Sequence, residues 1–211
     1  TGAGVQALAR DGAGWRIETA AGPVRAAAVV NAAGAWADEL GALAGARPIG
    51  LVPKRRTAAI VAAPKGFDPA GVRMVVDVEE QFYLKPEAGK LLISPADETP
   101  SAPCDAQPEE LDIALAVDRI ERAFNLSIRR IEHKWAGLRS FVADKCPVAG
   151  WDADVPGFFW LAGQGGYGIQ SAPALARVAA ALILGRGVPE DVLAAGLDPA
   201  ALAPGRLARA A

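Results

Sequence analysis

Two segments of the sequence each join a run of apolar residues to a helical pattern through a turn of small residues. The first passes from a strand pattern at residues 24–31 through Ala-Ala-Gly into helical spacing at residues 35–44. The second passes from residues 157–162 through the loop GQGGYG into helical spacing at residues 171–184. A strand that opens through small residues into a helix lets a ligand backbone or phosphate approach closely. We therefore expect two ligand-binding turns in one fold.

The sequence between these turns has a different pattern. From Leu51 onward, short β-rich segments alternate with Pro and Gly turns, which predicts a mostly antiparallel sheet with strands at residues 56–61, 72–78, 81–85, 91–94 and 128–141. Helical periodicity at residues 109–124 predicts one flanking helix. The fold class is therefore α+β. One discontinuous domain is expected from residues 1–50 and 143–211, and an inserted domain from residues 51–142.

The C-terminal tail after Gly187 contains Pro189, Pro199 and Pro204. Prolines at this density predict a tail that wraps loosely on the surface.

Composition excludes several classes of function. The net charge is −2, with 22 basic and 24 acidic residues interspersed, so no charge patch is expected to bind nucleic acid. The apolar stretch at residues 172–184 contains Arg177 and is too short for a membrane span, so no membrane insertion is expected. No signal-peptide pattern is present, which predicts a cytoplasmic protein.

The cysteines and the histidine do not form a recognisable metal or catalytic motif. Cys104 and Cys146 are far apart and lack a Cys or His companion, so we expect reduced thiols and no metal site. His133 lies in a strand pattern, where a structural or surface role is favoured over a catalytic one.

The glycine loop GQGGYG, taken alone, is weak evidence for function. We do not interpret it as the dinucleotide fingerprint, because GxGxxG after the first strand of a βαβ unit would need different spacing and a following acidic residue. A helix that begins behind such a loop offers free N–H groups and a positive dipole end, which would stabilise the negative charge of a reduced flavin.

Three motifs together resemble the FAD-dependent D-amino acid oxidase superfamily in order and spacing: VNAAGAWA at residues 30–37, WAGLRS at 135–140 and GQGGYGIQ at 163–170. The shorter motifs PKRR, FYLKP and IRR, which begin at Pro53, Phe82 and Ile128, are most similar to the D-arginine dehydrogenases of this superfamily. The resemblance covers nearly the whole chain.

The resemblance also implies a missing segment. Members of the superfamily begin with a strand, a GxGxxG loop and a helix that bind the FAD diphosphate. The sequence is interpreted as a truncated, C-terminal portion without that segment. It is expected to bind FAD weakly or not at all by itself, and to be inactive alone.

The resemblance assigns roles to particular residues. The substrate carboxylate is expected to bind the planar guanidinium groups of Arg56 and Arg139 and the hydroxyl of Tyr83. The backbone of Gly166 is expected to accept a hydrogen bond from the substrate amine. FAD is expected to contact Val5, Ala33, Gly34, Gly165, Gly166, Tyr167, Gly168, Ile169 and Gln170. Met74 and Val76 could form an apolar wall of the side-chain pocket, or simply pack in the core.

The implied reaction needs no catalytic side chain. The substrate transfers a hydride to flavin N5 and becomes an imino acid, which water hydrolyses. The substrate is then a small-molecule D-amino acid, and the electron acceptor, oxygen or a quinone, stays open. A glycine or sarcosine type of amine oxidase is an alternative, as is a non-catalytic binding module or partner subunit.

Overall fold

The computed structural model describes residues 1–209. The strands are, in chain order, β1 (Val5–Asp11), β2 (Gly14–Thr19), β3 (Val24–Ala26), β4 (Val29–Asn31), β5 (Val52–Val61), β6 (Val75–Val76), β7 (Tyr83–Glu87), β8 (Lys90–Ser94), β9 (Thr99–Pro100), β10 (Ile131–Phe141), β11 (Val148–Trp151) and β12 (Phe158–Ala162). The helices are α1 (Ala37–Leu43), α2 (Glu110–Phe124), α3 (Gly168–Ile183) and α4 (Glu190–Ala194), with 3-10 turns at Gly34–Trp36, Pro69–Gly71, Gly165–Tyr167, Pro199–Leu202 and Pro204–Arg209. The α+β class predicted from the sequence is confirmed.

The chain divides into two compact units. Among the described residues, the first contains residues 1–52 and 140–209, and the second contains residues 53–139. Among the helices within residues 1–209, we find none with both the length and the apolar character that a membrane span requires.

The first unit contains two three-stranded sheets. One has the order β1-β2-β3 and is antiparallel; the other has the order β11-β12-β4, in which β12 and β4 run parallel. Trp15, Phe158 and Trp160 are fully or almost fully buried in its main core, and Trp15 Nε1 donates to the carbonyl of Gly157 at 3.1 Å. Phe159, next along β12, packs with α3 on the opposite face. β12 is therefore buried on both faces, as expected for a strand with a parallel neighbour.

The second unit is a six-stranded sheet with one long helix on it. Its order is β10-β5-β8-β7-β6, with β9 paired to β5. Ile113, Ala116 and Ile120 of α2 pack on one face of this sheet, against a buried cluster that includes Leu84 and Ile93. Each buried aliphatic side chain of this kind contributes about 1.5–3 kcal/mol relative to an exposed one. α2 ends at Asn125, whose φ of 49° is the left-handed conformation common after a helix.

Three local expectations from the sequence were wrong. Residues 24–31 do not form one strand, because β3 and β4 belong to different sheets. The strand expected at residues 72–78 is limited to Val75–Val76. The tail is not loose, since Leu202 is buried in a cluster with Phe159 and Leu175, and Arg206 pairs with Asp144.

Candidate functional site

Two strand-to-helix turns lie side by side in the first unit. β4 and β12 are parallel neighbours, with Val29 opposite Phe158 and Asn31 opposite Trp160. β4 runs into the 3-10 turn at Gly34–Trp36 and then α1, and β12 runs into the one at Gly165–Tyr167 and then α3. The carboxyl ends of parallel strands meet at one edge of a sheet, which is where open α/β sheets bind ligands.

Glycine is favoured at both turns, for different reasons. Gly34 has a φ of +59°, and a Cβ added there would have no heavy atom within 4 Å. Gly165 has a φ of +55°, and its added Cβ would lie 2.5 Å from Cε1 of Phe141. The first glycine therefore leaves open space beside the turn, whereas the second lets the loop pack closely on Phe141.

Asn31 shapes the first turn, a role that was not predicted from the sequence. Its side chain is fully buried. Its Nδ2 donates to the carbonyl of Ala37 at 2.8 Å, and its Oδ1 accepts from the amide of Ala33 at 3.3 Å. A polar residue at the end of a buried strand, just before small residues, was the available signal.

The N-terminus of α3 is available to a ligand. No side chain of its N-cap residue, Tyr167, caps the helix. Tyr167 and Ile169 are exposed, and Ile169 is 95% exposed although it is apolar. The residues expected to contact FAD at this edge are Ala33, Gly34, Gly165, Gly166, Tyr167, Gly168, Ile169 and Gln170. Free N–H groups behind an open glycine loop fit the anionic part of a flavin cofactor.

Val5 lies elsewhere in this unit. It is the first residue of β1, in the sheet that does not contain the two turns, and it is exposed. Its contact with FAD stays a prediction.

The two neighbouring arginines of β5 have different partners in the second unit. Arg55 Nη2 donates to Oδ2 of Asp112 at 2.9 Å, and its Nη1 pairs with Glu109, just before α2. Burial alone would lower the pKa of the Arg55 guanidinium, but these hydrogen bonds outweigh it and raise that pKa above its ordinary value. Side chains alternate along a strand, so Arg56 points to the sheet face turned away from α2, which we call the distal face.

Arg56 is held by acceptors of its own unit. Its Nε donates to the carbonyl of Asp97 at 2.8 Å, and its Nη2 donates to Oε1 of Glu98 at 3.3 Å. Lys54 also donates to Glu98, at 2.8 Å. Glu98 thus shares one negative charge between Lys54 and Arg56 and balances the positive charge at Arg56 in part; this partner was not predicted from the sequence.

Arg139 also belongs to the distal face. Lys134 of the same strand pairs with Glu110 of α2, so the odd-numbered residues of β10, including Arg139, point away from that helix. The guanidinium of Arg139 has no hydrogen bond or ion pair with any residue that the structure describes. It is partly buried and free to bind an external anion.

Tyr83 and the expected apolar wall lie on this face as well. Leu84 packs in the cluster under α2, so its neighbour Tyr83 points the other way. Val76 is paired with Tyr83 across β6 and β7 and shares its face, and Met74 precedes β6. Both apolar side chains are more than half exposed, which argues against simple core packing. Within residues 1–209, the Tyr83 hydroxyl has no hydrogen-bond partner.

Of the three residues expected to bind the substrate carboxylate, Arg139 and Tyr83 therefore have polar groups without a partner in the described part of the chain, and both lie on the distal face. Tyr83 is separated from Arg56 by β8, about 10 Å across the sheet at the usual strand spacing. Gly166 belongs to the other compact unit. Convergence of all four residues on one substrate stays a prediction.

These features define a class of protein with an α+β fold. One unit has a sheet edge with two glycine turns suited to a cofactor, and the other has a sheet face with an arginine whose guanidinium is free to bind an anion. Residues 1–182 match the family described as DAO, FAD dependent oxidoreductase, and the chain belongs to this family. FAD is accordingly its cofactor.

Two known proteins are similar to this chain in sequence. The glycine oxidase of Geobacillus kaustophilus is 28% identical over 177 residues, which are 82% of this chain and 45% of that protein. The bovine (Bos taurus) FAD-dependent oxidoreductase domain-containing protein 1 is 25% identical over 178 residues, which are 77% of this chain and 36% of that protein. The chain thus spans less than half of the length of these relatives.

Two solved structures are similar to this chain in fold. The crystal structure of the G. kaustophilus glycine oxidase has a TM-score of 0.77 and 25% identity, over 95% of this chain and 51% of that chain. The L-proline dehydrogenase of P. horikoshii has a TM-score of 0.78 at 23% identity, over 98% of this chain and 54% of that one, and indicates a shared fold.

Proposed function

We propose that the protein takes part in the FAD-dependent oxidation of a D-amino acid to the imino acid, in the manner of the D-arginine dehydrogenases. Family membership supports an oxidoreductase that uses FAD. The motifs that begin at Pro53 and Phe82 support the narrower D-amino acid assignment.

The observation that carries this proposal is the free guanidinium of Arg139 on the same sheet face as the free hydroxyl of Tyr83. A carboxylate is costly to remove from water unless opposite charge and several donors surround it. A planar guanidinium offers two parallel donors to such a group, and a tyrosine hydroxyl adds a third. Arg139 and Tyr83 lie three strands apart, roughly 14 Å across the sheet, so both side chains would have to extend toward each other to hold one carboxylate.

Arg56 would serve mainly to shape this face. Its ion pair with Glu98 leaves it less charge to offer a substrate than Arg139 has. Met74 and Val76 lie at the β6 edge of the sheet, opposite the β10 edge that holds Arg139, and their role as an apolar wall stays a prediction. Bound FAD would supply the hydride acceptor for this oxidation, and the residues named here would orient the substrate Cα–H toward it.

A glycine or sarcosine oxidase is the second candidate. The 28% identity with the G. kaustophilus glycine oxidase favours it. A free arginine that anchors a carboxylate would serve glycine and sarcosine equally well. The two candidates therefore differ in what surrounds the Cα substituent and the amine.

Anaerobic flavin reduction separates the candidates. The complete protein, of which residues 1–211 are expected to be the C-terminal portion, is loaded with FAD and is called the FAD-loaded protein below. It is mixed with D-arginine, other D-amino acids, their L-enantiomers, glycine and sarcosine, and the loss of oxidised-flavin absorbance is followed. We expect D-amino acids to reduce the flavin fastest and L-enantiomers not to react. Reduction by glycine and sarcosine alone would favour the second candidate, and the absence of any reduction would favour a non-catalytic binding module or partner subunit.

A further inference from the structure

Gly137 lies in the middle of β10, where a glycine weakens a strand. Its φ is outside the left-handed region, and a Cβ built on it would have no heavy atom within 4 Å. Neither the backbone conformation nor packing within the described residues excludes a side chain. Glycine inside a strand often marks a place where a ligand approaches the backbone closely.

The neighbours of Gly137 on the distal face are suited to an amino acid ligand. Residues two apart on a strand point to the same side, so Trp135, Gly137 and Arg139 form one row. Arg139 has its free guanidinium at one end. At the other end, Trp135 is 37% exposed, and its indole stacks on His133 with ring centroids 5.4 Å apart and an interplanar angle of 26°.

The stack with His133 gives Trp135 a fixed orientation. An indole supported on one side and partly exposed on the other presents a rigid surface to a ligand. Such a surface binds apolar groups by burial and cationic groups through its electron-rich face.

The row spans about 14 Å from the Cα atom of Arg139 to that of Trp135, and the long side chains of these two residues can shorten the gap that a ligand has to bridge. The Cα atoms of Arg139 and Gly137 are about 7 Å apart, as are those of Gly137 and Trp135, at the rise of a strand. A ligand anchored by its carboxylate at Arg139 would pass over the open position and reach the indole with its side chain.

We propose that Trp135 and Gly137 form the side-chain subsite for the substrate, with Gly137 as the open floor and Trp135 as the end wall. This proposal rests on the proposed function, because it takes Arg139 as the carboxylate anchor. The subsite takes an apolar or cationic side chain, and its depth is set by the absent Cβ of Gly137.

Equilibrium binding of two carboxylates that cannot be oxidised tests the subsite. Acetate has no side chain, and 3-phenylpropanoate has a long apolar one; both are titrated into the FAD-loaded protein by calorimetry. Gly137→Val places a side chain in the open space above residue 137. Gly137→Ala is a smaller change that is included in case the valine disturbs the strand. Gly187→Val is the matched control, since Gly187 also has ordinary φ and free space around its Cβ position.

We expect Gly137→Val to weaken the binding of 3-phenylpropanoate at least about tenfold and that of acetate much less. Blocking a pocket by one or two methyl groups has effects of this size on affinity. Gly137→Ala should show a smaller loss with the same preference, and Trp135→Leu should also weaken 3-phenylpropanoate selectively. The thermal unfolding midpoint of the glycine variants should not fall. Gly187→Val should bind both carboxylates as the unmodified protein does.

Two results would overturn the subsite in distinguishable ways. If Arg139→Ala weakens acetate binding but the Gly137 variants affect both carboxylates equally or not at all, Gly137 is not the floor of a side-chain subsite. If Arg139→Ala leaves acetate binding unchanged, the carboxylate anchor is wrong, and the proposed function fails together with the subsite.

Discussion

Asp97 links the two arginines of β5 through its side chain and its backbone. Its Oδ1 accepts from the amide of Thr57 at 2.6 Å, its Oδ2 accepts from the Thr57 hydroxyl at 3.0 Å, and its carbonyl accepts from Arg56. Arg55 Nε, a buried nitrogen without a hydrogen-bond partner within residues 1–209, lies 3.7 Å from Asp97 Oδ2. Asp97 therefore holds the strand segment from which Arg56 projects.

Replacing Asp97 should destabilise the second unit. Asp97→Ala leaves the two Thr57 donors unsatisfied and the Arg55 guanidinium with less negative charge around it, which should lower the free energy of unfolding by about 1–3 kcal/mol. Asp105→Ala, an exposed acid in the following loop, should change it by less than about 0.5 kcal/mol. Urea denaturation of both variants measures the difference, and equal effects would show that Asp97 is not a structural link.

The sequence could predict the faces of these residues but not their partners. Alternation along β5 was enough to separate Arg55 from Arg56. The pairing of Arg56 with Glu98 joins positions 42 residues apart, and that of Arg55 with Asp112 joins positions 57 apart. Such contacts depend on how strands and helices are brought together, and local pattern contains no information on that.

Among the secondary-structure elements, the loop before α3 depends on the end of β10. Phe141 occupies the position that a side chain at residue 165 would need. The strand–turn–helix units at both glycine turns were predicted from the sequence, because small residues at a strand end are a strong local signal. The division of residues 24–31 between two sheets was not, because apolar character does not specify which strand will be the partner.

Gly165→Ala should therefore disturb the cofactor turn. It combines a positive φ with a clash against Phe141, and such strain costs about 1–3 kcal/mol. The FAD-loaded variant should retain less flavin per polypeptide, measured by its visible absorbance, and should melt at a lower temperature. Gly187→Ala should have neither effect. Normal flavin content in Gly165→Ala would mean that this loop does not hold the cofactor.

The tail is fixed by an ion pair that depends on pH. Arg206 Nε donates to Oδ2 of Asp144 at 2.7 Å, and its Nη2 donates to the carbonyl of Cys146 at 2.7 Å. The hydrogen bond from Arg206 lowers the pKa of Asp144 below its ordinary value of 3.8, against an opposing effect of desolvation. The pair therefore stabilises the fold above about pH 3.8, and this contribution is lost as the pH falls through the lowered pKa.

Arg206→Ala should lower the stability at neutral pH by about 0.5–1 kcal/mol, a small value because Asp144 is partly exposed. The difference between the variant and the unmodified protein should shrink as the pH falls well below 3.8. Thermal unfolding across this pH range measures it. A difference that is independent of pH would show that the effect of Arg206 comes from its contacts with backbone carbonyls.

At the level of the whole molecule, family and fold class could be predicted from the sequence because several motifs recur in order along it. The narrower substrate class could not, because the residues that surround a substrate side chain come from separate strands and turns. The tail was predicted to be loose from its prolines, yet Leu202 packs against β12 and α3. Proline content indicates how stiff the local backbone is. It does not indicate which apolar side chains become buried in a hydrophobic core.

A polypeptide of residues 1–211 expressed alone should retain little FAD. The turns at Gly34 and Gly165 offer contacts to part of the cofactor, whereas members of the superfamily bind the diphosphate at a separate GxGxxG turn and its helix. The polypeptide should purify colourless, as judged from visible absorbance. A yellow preparation with one flavin per chain would show that the contacts within these residues suffice.

Steady-state kinetics of Arg139→Ala in the FAD-loaded protein tests most directly whether Arg139 anchors the substrate carboxylate. Lys134→Ala is the matched control, a cation on the same strand that faces α2. We expect Arg139→Ala to reduce kcat/KM by an amount equivalent to roughly 2–5 kcal/mol, as for the loss of a buried charge pair. This loss should be similar for every amino acid substrate, with unchanged flavin content, and Lys134→Ala should have little effect. Equal losses in both variants, or an Arg139 defect confined to one class of side chain, would contradict the assignment.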